Sequence, residues 1–279
     1  MEIGFLTWYF KQTSLEDLFA WAAENGMSGL ELDNCPDDLD RVKGLLARYP
    51  QVRVHALGRA KNYLVGTAAE RQAKAAPLER DIEIAAELGV GVINIFAGRD
   101  PNKTVEENLP IFEEVFTPLV EKAEKHGVRL AMENCAQRGQ WPAGGNLAHT
   151  PENWRKMFEI IPSDALGLTF DPSHFIFQGM DYVSAVHEFG DRIYYVHAKD
   201  CEILDDLLGD RGIYGNDWWR WRLPGWGEMD WVAFFTALRE VGYAGPVGIE
   251  HESKLWNHND DELRQGLLMA QDFLSRFEW

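Results

Sequence analysis

Four consecutive apolar, β-rich runs of this 279-residue sequence end on groups that can hold a metal ion or move a proton. VRLAME (128–133) closes on Glu133 and LGLTFD (166–171) on Asp171; IYYVHA (193–198) carries His197 next to last, and PVGIEH (246–251) carries Glu250 next to last. Taken singly, some have ordinary explanations. A strand-end Asp commonly caps a turn or helix, and a lone His is commonly a satisfied core or surface residue. A Glu ending an apolar strand is harder to dismiss, because burying an uncompensated carboxylate is costly. Three clustered carboxylates without a cation would repel one another and be driven toward protonation. A divalent ion removes that conflict. Three oxygen donors and one nitrogen form a mainly hard set, suited to Mn²⁺, Mg²⁺ or Co²⁺ rather than to a closed structural zinc site. Four protein ligands in an octahedron leave about two positions for a hydroxy-ketone or diol.

Residues so far apart in sequence meet only if the fold brings strand ends together. Eight strands are expected: EIGFLT (2–7), SGLELD (28–33), VRVHAL (52–57), GVINIF (91–96), VRLAME, LGLTFD, IYYVHA and PVGIEH. Most are apolar at nearly every position, as strands covered on both faces are. Amphipathic helical stretches separate them, and the unit recurs roughly every 30 residues, the size of a βα unit. Ser14 with Asp17, Thr150 before Pro151, and Asp230 read as helix starts, while AELGVG, EKHGVR and REVGYAG read as helix ends on glycine. No linker or composition shift divides the chain. The expected architecture is therefore α/β: one domain over residues 1–279, a single (β/α)8 TIM barrel with strand ends converging on one mouth. An open doubly wound sheet is the rival, but its glycine-rich phosphate turn is missing, since WYFKQTS follows the first strand. Two long irregular stretches, 134–149 and 200–229, follow the fifth and seventh strands on the side of the mouth, where long loops are usually functional.

Composition narrows the partners. The net charge of −18 argues against nucleic acid and against an anionic membrane surface, and an acidic field attracts cations. No apolar run is long enough to span a membrane. Three cysteines imply no disulfide framework and, with no basic leader in the sequence, fit a reducing cytoplasm.

Several motifs carry a resemblance: MEN at 132–134, DPSH at 171–174, HAKD at 197–200, PGWGEMDW at 224–231 and GYAGPVGIEHE at 242–252. On these the whole chain resembles the xylose isomerase-like TIM-barrel superfamily, in its sugar phosphate isomerase/epimerase branch. The resemblance implies that Glu133, Asp171, His197 and Glu250 bind one divalent metal. Mn²⁺ is expected first, with Mg²⁺, Co²⁺ or Zn²⁺ as alternatives. It further implies that His174 contacts substrate and that Glu133 and Glu250 transfer protons. One departure bears on the reaction. Ketose 3-epimerases of the tagatose type carry an arginine shortly after the metal histidine, where this sequence has Lys199 in HAKDCEILDD. Simple free-ketose 3-epimerisation is accordingly not expected.

Such a site chelates a carbonyl and a neighbouring hydroxyl, so that Glu133 or Glu250 can remove the adjacent C–H proton and leave an enediolate. Reprotonation gives an isomerase or epimerase acting on a ketose, keto-sugar or keto-glycoside. Loss of a β-substituent gives the alternative, a lyase or dehydratase resembling inosose dehydratase or a 3-keto-glycoside deglycosidase, with His174 and Lys199 protonating the leaving group. Lys199 reads equally as a buried acid or as an ion-pair partner of Asp200 or Glu250. His55, Arg222, Trp226 and Trp8 are expected substrate contacts, with Glu31 and Asn94 placed similarly. His126 is expected at the surface, and His251 is expected to point away from Glu250. Five of eleven tryptophans (Trp218, Trp219, Trp221, Trp226, Trp231) crowd the region after the seventh strand, where they would either stack on sugar or plug a subunit interface. With no glycine-rich phosphate cradle, the carbohydrate is expected to be non-phosphorylated. Homo-oligomerisation and a metal-stabilised, non-catalytic sugar binder remain open readings. An endonuclease IV-type nuclease is disfavoured by the charge and by only eight histidines.

Overall fold

The computed structural model describes residues 1–136 and 144–277. Along the chain run β1 (Ile3–Leu6), α1 (Leu15–Glu24), β2 (Gly29–Leu32), α2 (Leu39–Arg48), β3 (Arg53–Arg59), α3 (Ala68–Leu88), β4 (Val92–Ile95), α4 (Val105–His126), β5 (Arg129–Glu133), α5 (Pro151–Ile160) and β6 (Leu166–Phe170). Next come α6 (Ser173–Ile176), α7 (Tyr182–Phe189), β7 (Ile193–Ala198), β8 (Asp200–Ile203), α8 (Asp205–Arg211), β9 (Trp219–Arg222), α9 (Trp231–Glu240), β10 (Val247–Ile249) and α10 (Asp260–Leu274). Eight strands close into a parallel barrel in the order β1-β10-β7-β6-β5-β4-β3-β2. Each overlaps one of the eight runs expected from sequence. Where most helices begin is set locally: Ser14, Thr150 and Asp230 accept the N3 amides of α1, α5 and α9, and two capping boxes start α3 and α4. No described helix is long and apolar enough to cross a membrane.

Strand alternation fills the barrel with rings set against glycines. A Cβ on Gly248 would lie 2.1 Å from Tyr195 Oη, so the missing side chain on β10 is what admits the tyrosine of β7. His55 is seated in the same way, against Gly4 and Gly29. These rings are buried and do not line the cavity described below. Two residues further along β7, the same alternation turns His197 to the same side, with its ring 5.2 Å from Tyr195.

The stretch 200–229 is irregular only in part, at 212–218 and 223–229. β8 and β9 pair antiparallel, Asp200 with Arg222 and Ile203 with Trp219, and α8 lies between them. Alternation along this ribbon turns Trp219 and Trp221 toward Phe177, whereas Arg220 and Arg222 both pair with Glu202. Of the other long stretch, residues 137–143 lie outside the described residues.

Candidate active site

Glu133, Asp171, His197 and Glu250 converge: one donor atom from each lies within 4.8 Å of every other. All four are buried, at 5%, 0%, 0% and 9% exposure. Glu133 ends β5 and His197 is next to last on β7. Asp171 and Glu250 each lie one residue beyond their strands, β6 and β10.

Local hydrogen bonds fix Asp171. The Asn134 side chain donates to its carbonyl (2.8 Å) and accepts from its amide (2.7 Å), replacing a strand rung past the end of β6. Its Oδ1 accepts from Ser173 N, so one oxygen does serve as a turn cap. The other, Oδ2, lies 3.2 Å from His174 Nε2 and 3.0 Å from Lys199 Nζ. His197 is fixed from the opposite side. Its Nε2 is 2.8 Å from Glu31 Oε2, and the other oxygen of Glu31 accepts from Asn94. That leaves His197 Nδ1 without a hydrogen-bond partner, 3.4 Å from Glu250 Oε2 and 3.9 Å from Glu133 Oε2.

Positive charge collects where these acids meet. Lys199 is 1% exposed, and its Nζ lies 2.7 Å from Glu250, 2.9 Å from Glu252 and over the Trp221 ring. Burial opposes its charge, yet Asp171, Glu250 and Glu252 push the ammonium pKa well above its ordinary value. Burial also opposes charge on His197, and Glu31 and Glu250 overcome it in the same direction. Glu133 is raised, by burial first and then by Glu250. Asp171 and Glu250 are lowered in spite of burial, because Lys199 stands beside both. A buried acid cluster that draws in an ammonium and protons fits a divalent cation. The donor set, the unpartnered His197 Nδ1 and an Asp171 Oδ2 that makes no well-angled hydrogen bond are what such an ion would use.

A cavity of about 210 Å³ opens over the cluster. Trp8, Glu31, Asn94, Glu133, His197, Lys199 and Glu250 reach it, together with Tyr9, Asp33, Arg59, Cys135 and Glu252. Three expected substrate contacts do not. His55 sits lower in the barrel because β3 runs two residues past Leu57 and bulges: Leu30 pairs with Val54 but Glu31 with Ala56, skipping His55. Its Nε2 meets Ser28 Oγ (3.4 Å) and Glu2 (3.6 Å) instead. Arg222 is turned onto Glu202 by the ribbon's alternation. Trp226 stands exposed beside Trp256, outside the cavity lining. Asp200 is likewise not a partner of Lys199. It accepts from the backbone amides of Cys201, Gly225 and Met229 and from the Trp231 indole, clamping the loop to the base of the ribbon. His174 is buried beneath Trp221, 3.4 Å from Lys199 Nζ. His126 is exposed, and His251 is buried against Gly266 of α10, away from the cluster.

Sequence reasoning passed over Tyr9, whose hydroxyl donates to Glu250 Oε1 (3.3 Å), and Glu252 and Cys135. A signal existed for Glu252, two residues after Glu250 and so on the same side of an extended chain. None existed for Tyr9, which a short 3₁₀ turn after β1 carries to the mouth.

A family model described as "xylose isomerase-like TIM barrel" matches residues 19–273. Over 112 residues the chain is 30% identical to the inosose dehydratase of Geobacillus kaustophilus, covering 39% of this chain and 36% of that protein. It spans 44% and 54% of two other curated relatives, so about half of their length. The structure superposes on the Escherichia coli 3-keto-D-glucoside 4-epimerase YcjR with TM-score 0.76 at 20% identity, covering 99% of each chain. It also superposes on the IOLI protein with a bound zinc atom, with TM-score 0.76 at 21% identity, over 100% of this chain and 99% of that one. At such identities the two structural likenesses speak for the fold alone.

Proposed function

This chain belongs to the xylose isomerase-like TIM-barrel family, and from that premise we propose that it is a divalent-metal-dependent isomerase or epimerase. Its substrate would be a non-phosphorylated ketose, keto-sugar or keto-glycoside. The observation that carries the reading is the convergence of Glu133, Asp171, His197 and Glu250 at the foot of an open cavity. These four would hold the ion, with Mn²⁺ expected first. When bound, it supplies Lewis-acid polarisation of a substrate carbonyl, which acidifies the neighbouring C–H.

The chain's own groups do the rest. Glu133 and Glu250 reach the cavity from strands that are not neighbours in the barrel, so they flank a bound sugar and can remove a proton and return one. Tyr9 and Lys199 orient Glu250 through hydrogen bonds to its two different oxygens. Glu31 holds the His197 ring. Trp8, half exposed at the rim, offers an apolar face to the C–H side of a sugar ring.

One observation favours a second reading as a lyase or dehydratase. Lys199 Nζ and His174 Nε2 lie 3.4 Å apart beside the cluster, a buried pair able to deliver a proton to a departing hydroxyl or alkoxide. The inosose dehydratase relative supports the same direction.

Both readings begin with C–H proton removal. The Mn²⁺-loaded protein, incubated in D₂O with ketoses, inososes and 3-keto-glycosides, is expected to place deuterium next to the carbonyl. Chelation should abolish exchange and Mn²⁺ restore it. Glu133→Gln and Glu250→Gln should each stop it, and full-rate exchange in both variants would overturn the assignment. Product mass separates the two readings: an unchanged mass apart from deuterium supports the isomerase or epimerase, and loss of water or an alcohol supports the lyase.

A further inference from the structure

We propose that Glu133, Cys135 and His174 form a second, thiolate-containing site for a soft divalent cation such as Zn²⁺, sharing Glu133 with the oxygen-rich cluster. One donor atom from each of the three lies within 4.8 Å of the other two. The two oxygens of Glu133 face different neighbours. Oε2 looks toward His197 Nδ1 (3.9 Å), whereas Oε1 looks toward His174 Nε2 (3.6 Å). In a tetrahedral zinc site with ordinary bond lengths, adjacent nitrogen and oxygen donors stand roughly 3.4 Å apart, so this pair needs almost no rearrangement to share an ion.

The donor chemistry differs from that of the four-residue cluster. Sulfur, imidazole nitrogen and one carboxylate make a borderline-soft set with three protein ligands, which leaves a fourth tetrahedral position open. Strand geometry supplies the proximity. Glu133 ends β5, and Cys135 lies two residues on, half-buried and lining the cavity, so an ion has a path to it. His174 opens toward the same place from α6, directly after the Asp171 turn. Its ring is 2% exposed, and Nε2, the nitrogen on the Glu133 side, also lies 3.2 Å from Asp171 Oδ2, so a second carboxylate helps to offset an added cation. The Lys199 ammonium, 3.4 Å from His174 Nε2, opposes a cation here, but Glu250 and Glu252 offset its charge through direct contacts. The other two thiols are poor competitors for a metal. Burial pushes both Cys35 and Cys201 up to about 12, and the thiolate is the ligand form.

Charge-transfer spectroscopy tests the site without any appeal to turnover. Metal-free protein titrated with Co²⁺ or Cd²⁺ is expected to develop the ultraviolet thiolate-to-metal band. Cys135→Ser should abolish the band, and His174→Ala should weaken the ion's affinity at least tenfold. Cys35→Ser and Cys201→Ser should leave the band intact. Mn²⁺ binding by Cys135→Ser, followed by electron paramagnetic resonance, should match the unsubstituted protein, which shows that the variant is folded and separates this site from the oxygen-rich one. The proposal is overturned if no thiolate band forms, if the band survives Cys135→Ser, if it disappears with Cys35 or Cys201, or if Cys135→Ser also loses Mn²⁺.

Discussion

Glu31 and His197 meet inside the barrel, Oε2 to Nε2 at 2.8 Å, from strands β2 and β7 that are not paired with each other. The contact occupies one imidazole nitrogen and leaves the other, Nδ1, turned to Glu133 and Glu250. A carboxylate accepting Nε2–H sets the tautomer that a metal needs at Nδ1 and raises the ligand's basicity. Glu31→Gln should therefore weaken Mn²⁺ binding by about 10- to 100-fold, measured by calorimetry or electron paramagnetic resonance. An unchanged affinity would mean that packing alone orients the ring.

Metal binding should release protons. Without a cation, His197 is held well above its ordinary pKa and Glu133 is raised, so both tend to carry protons that an ion must displace. Mn²⁺ affinity is expected to rise with pH. The binding enthalpy should also vary with the ionisation enthalpy of the buffer, and a buffer-independent enthalpy would contradict the assignment.

Lys199 neutralises a surplus of acid, with the buried Asp171 and Glu250 and the half-buried Glu252 all within 3.0 Å of its ammonium. Removing one member of such a buried network typically costs about 3–5 kcal/mol. Lys199→Met should lower the melting temperature of metal-free protein sharply, and saturating Mn²⁺ should raise that temperature by more than it does in the unsubstituted protein. An equal Mn²⁺ increment in both proteins would argue against shared charge compensation.

Acid should destabilise the fold partly through His55. Burial first, and Arg53 second, lower its pKa from 6.5 to about 4, so the folded state binds fewer protons than the unfolded chain between those values. The stability this supplies is present above about pH 6.5 and is lost as pH falls toward 4, amounting to about 3 kcal/mol at most. Denaturant unfolding across that range should show a shallower pH slope in His55→Gln than in the unsubstituted protein. Equal slopes would assign the acid sensitivity elsewhere, His251 being the other buried imidazole held near 4.

The barrel strands were legible because residues covered on both faces must be apolar almost continuously, and helix starts are written in single side chains such as Ser14 and Thr150. The four converging residues were legible for a related reason: a carboxylate or imidazole closing an apolar run has no solvent to justify it. His55 was misplaced by a tertiary effect. A bulge against β2 and two extra residues on β3 dropped it below the mouth, and only the paired strand reveals that. Arg222 was misplaced because it belongs to a paired ribbon rather than to an irregular loop, and Trp226 because the turn after that ribbon sets it beside Trp256. The alternation in WRWR was visible, but its partner strand DCEI follows β7 so closely that the boundary between them was not. Glu31 drew little weight from sequence because its worth depends on His197, which is distant along the chain.

Lys199 and Asp200 are adjacent yet serve opposite sides: one ammonium faces the acids, and one carboxylate clamps residues 225–231. The base of the ribbon is thereby fixed independently of its far end, where Tyr214 and Ile213 stand in solvent. Insertions or deletions at that tip are expected to alter the exposed surface while Lys199 and the acids around it keep their places.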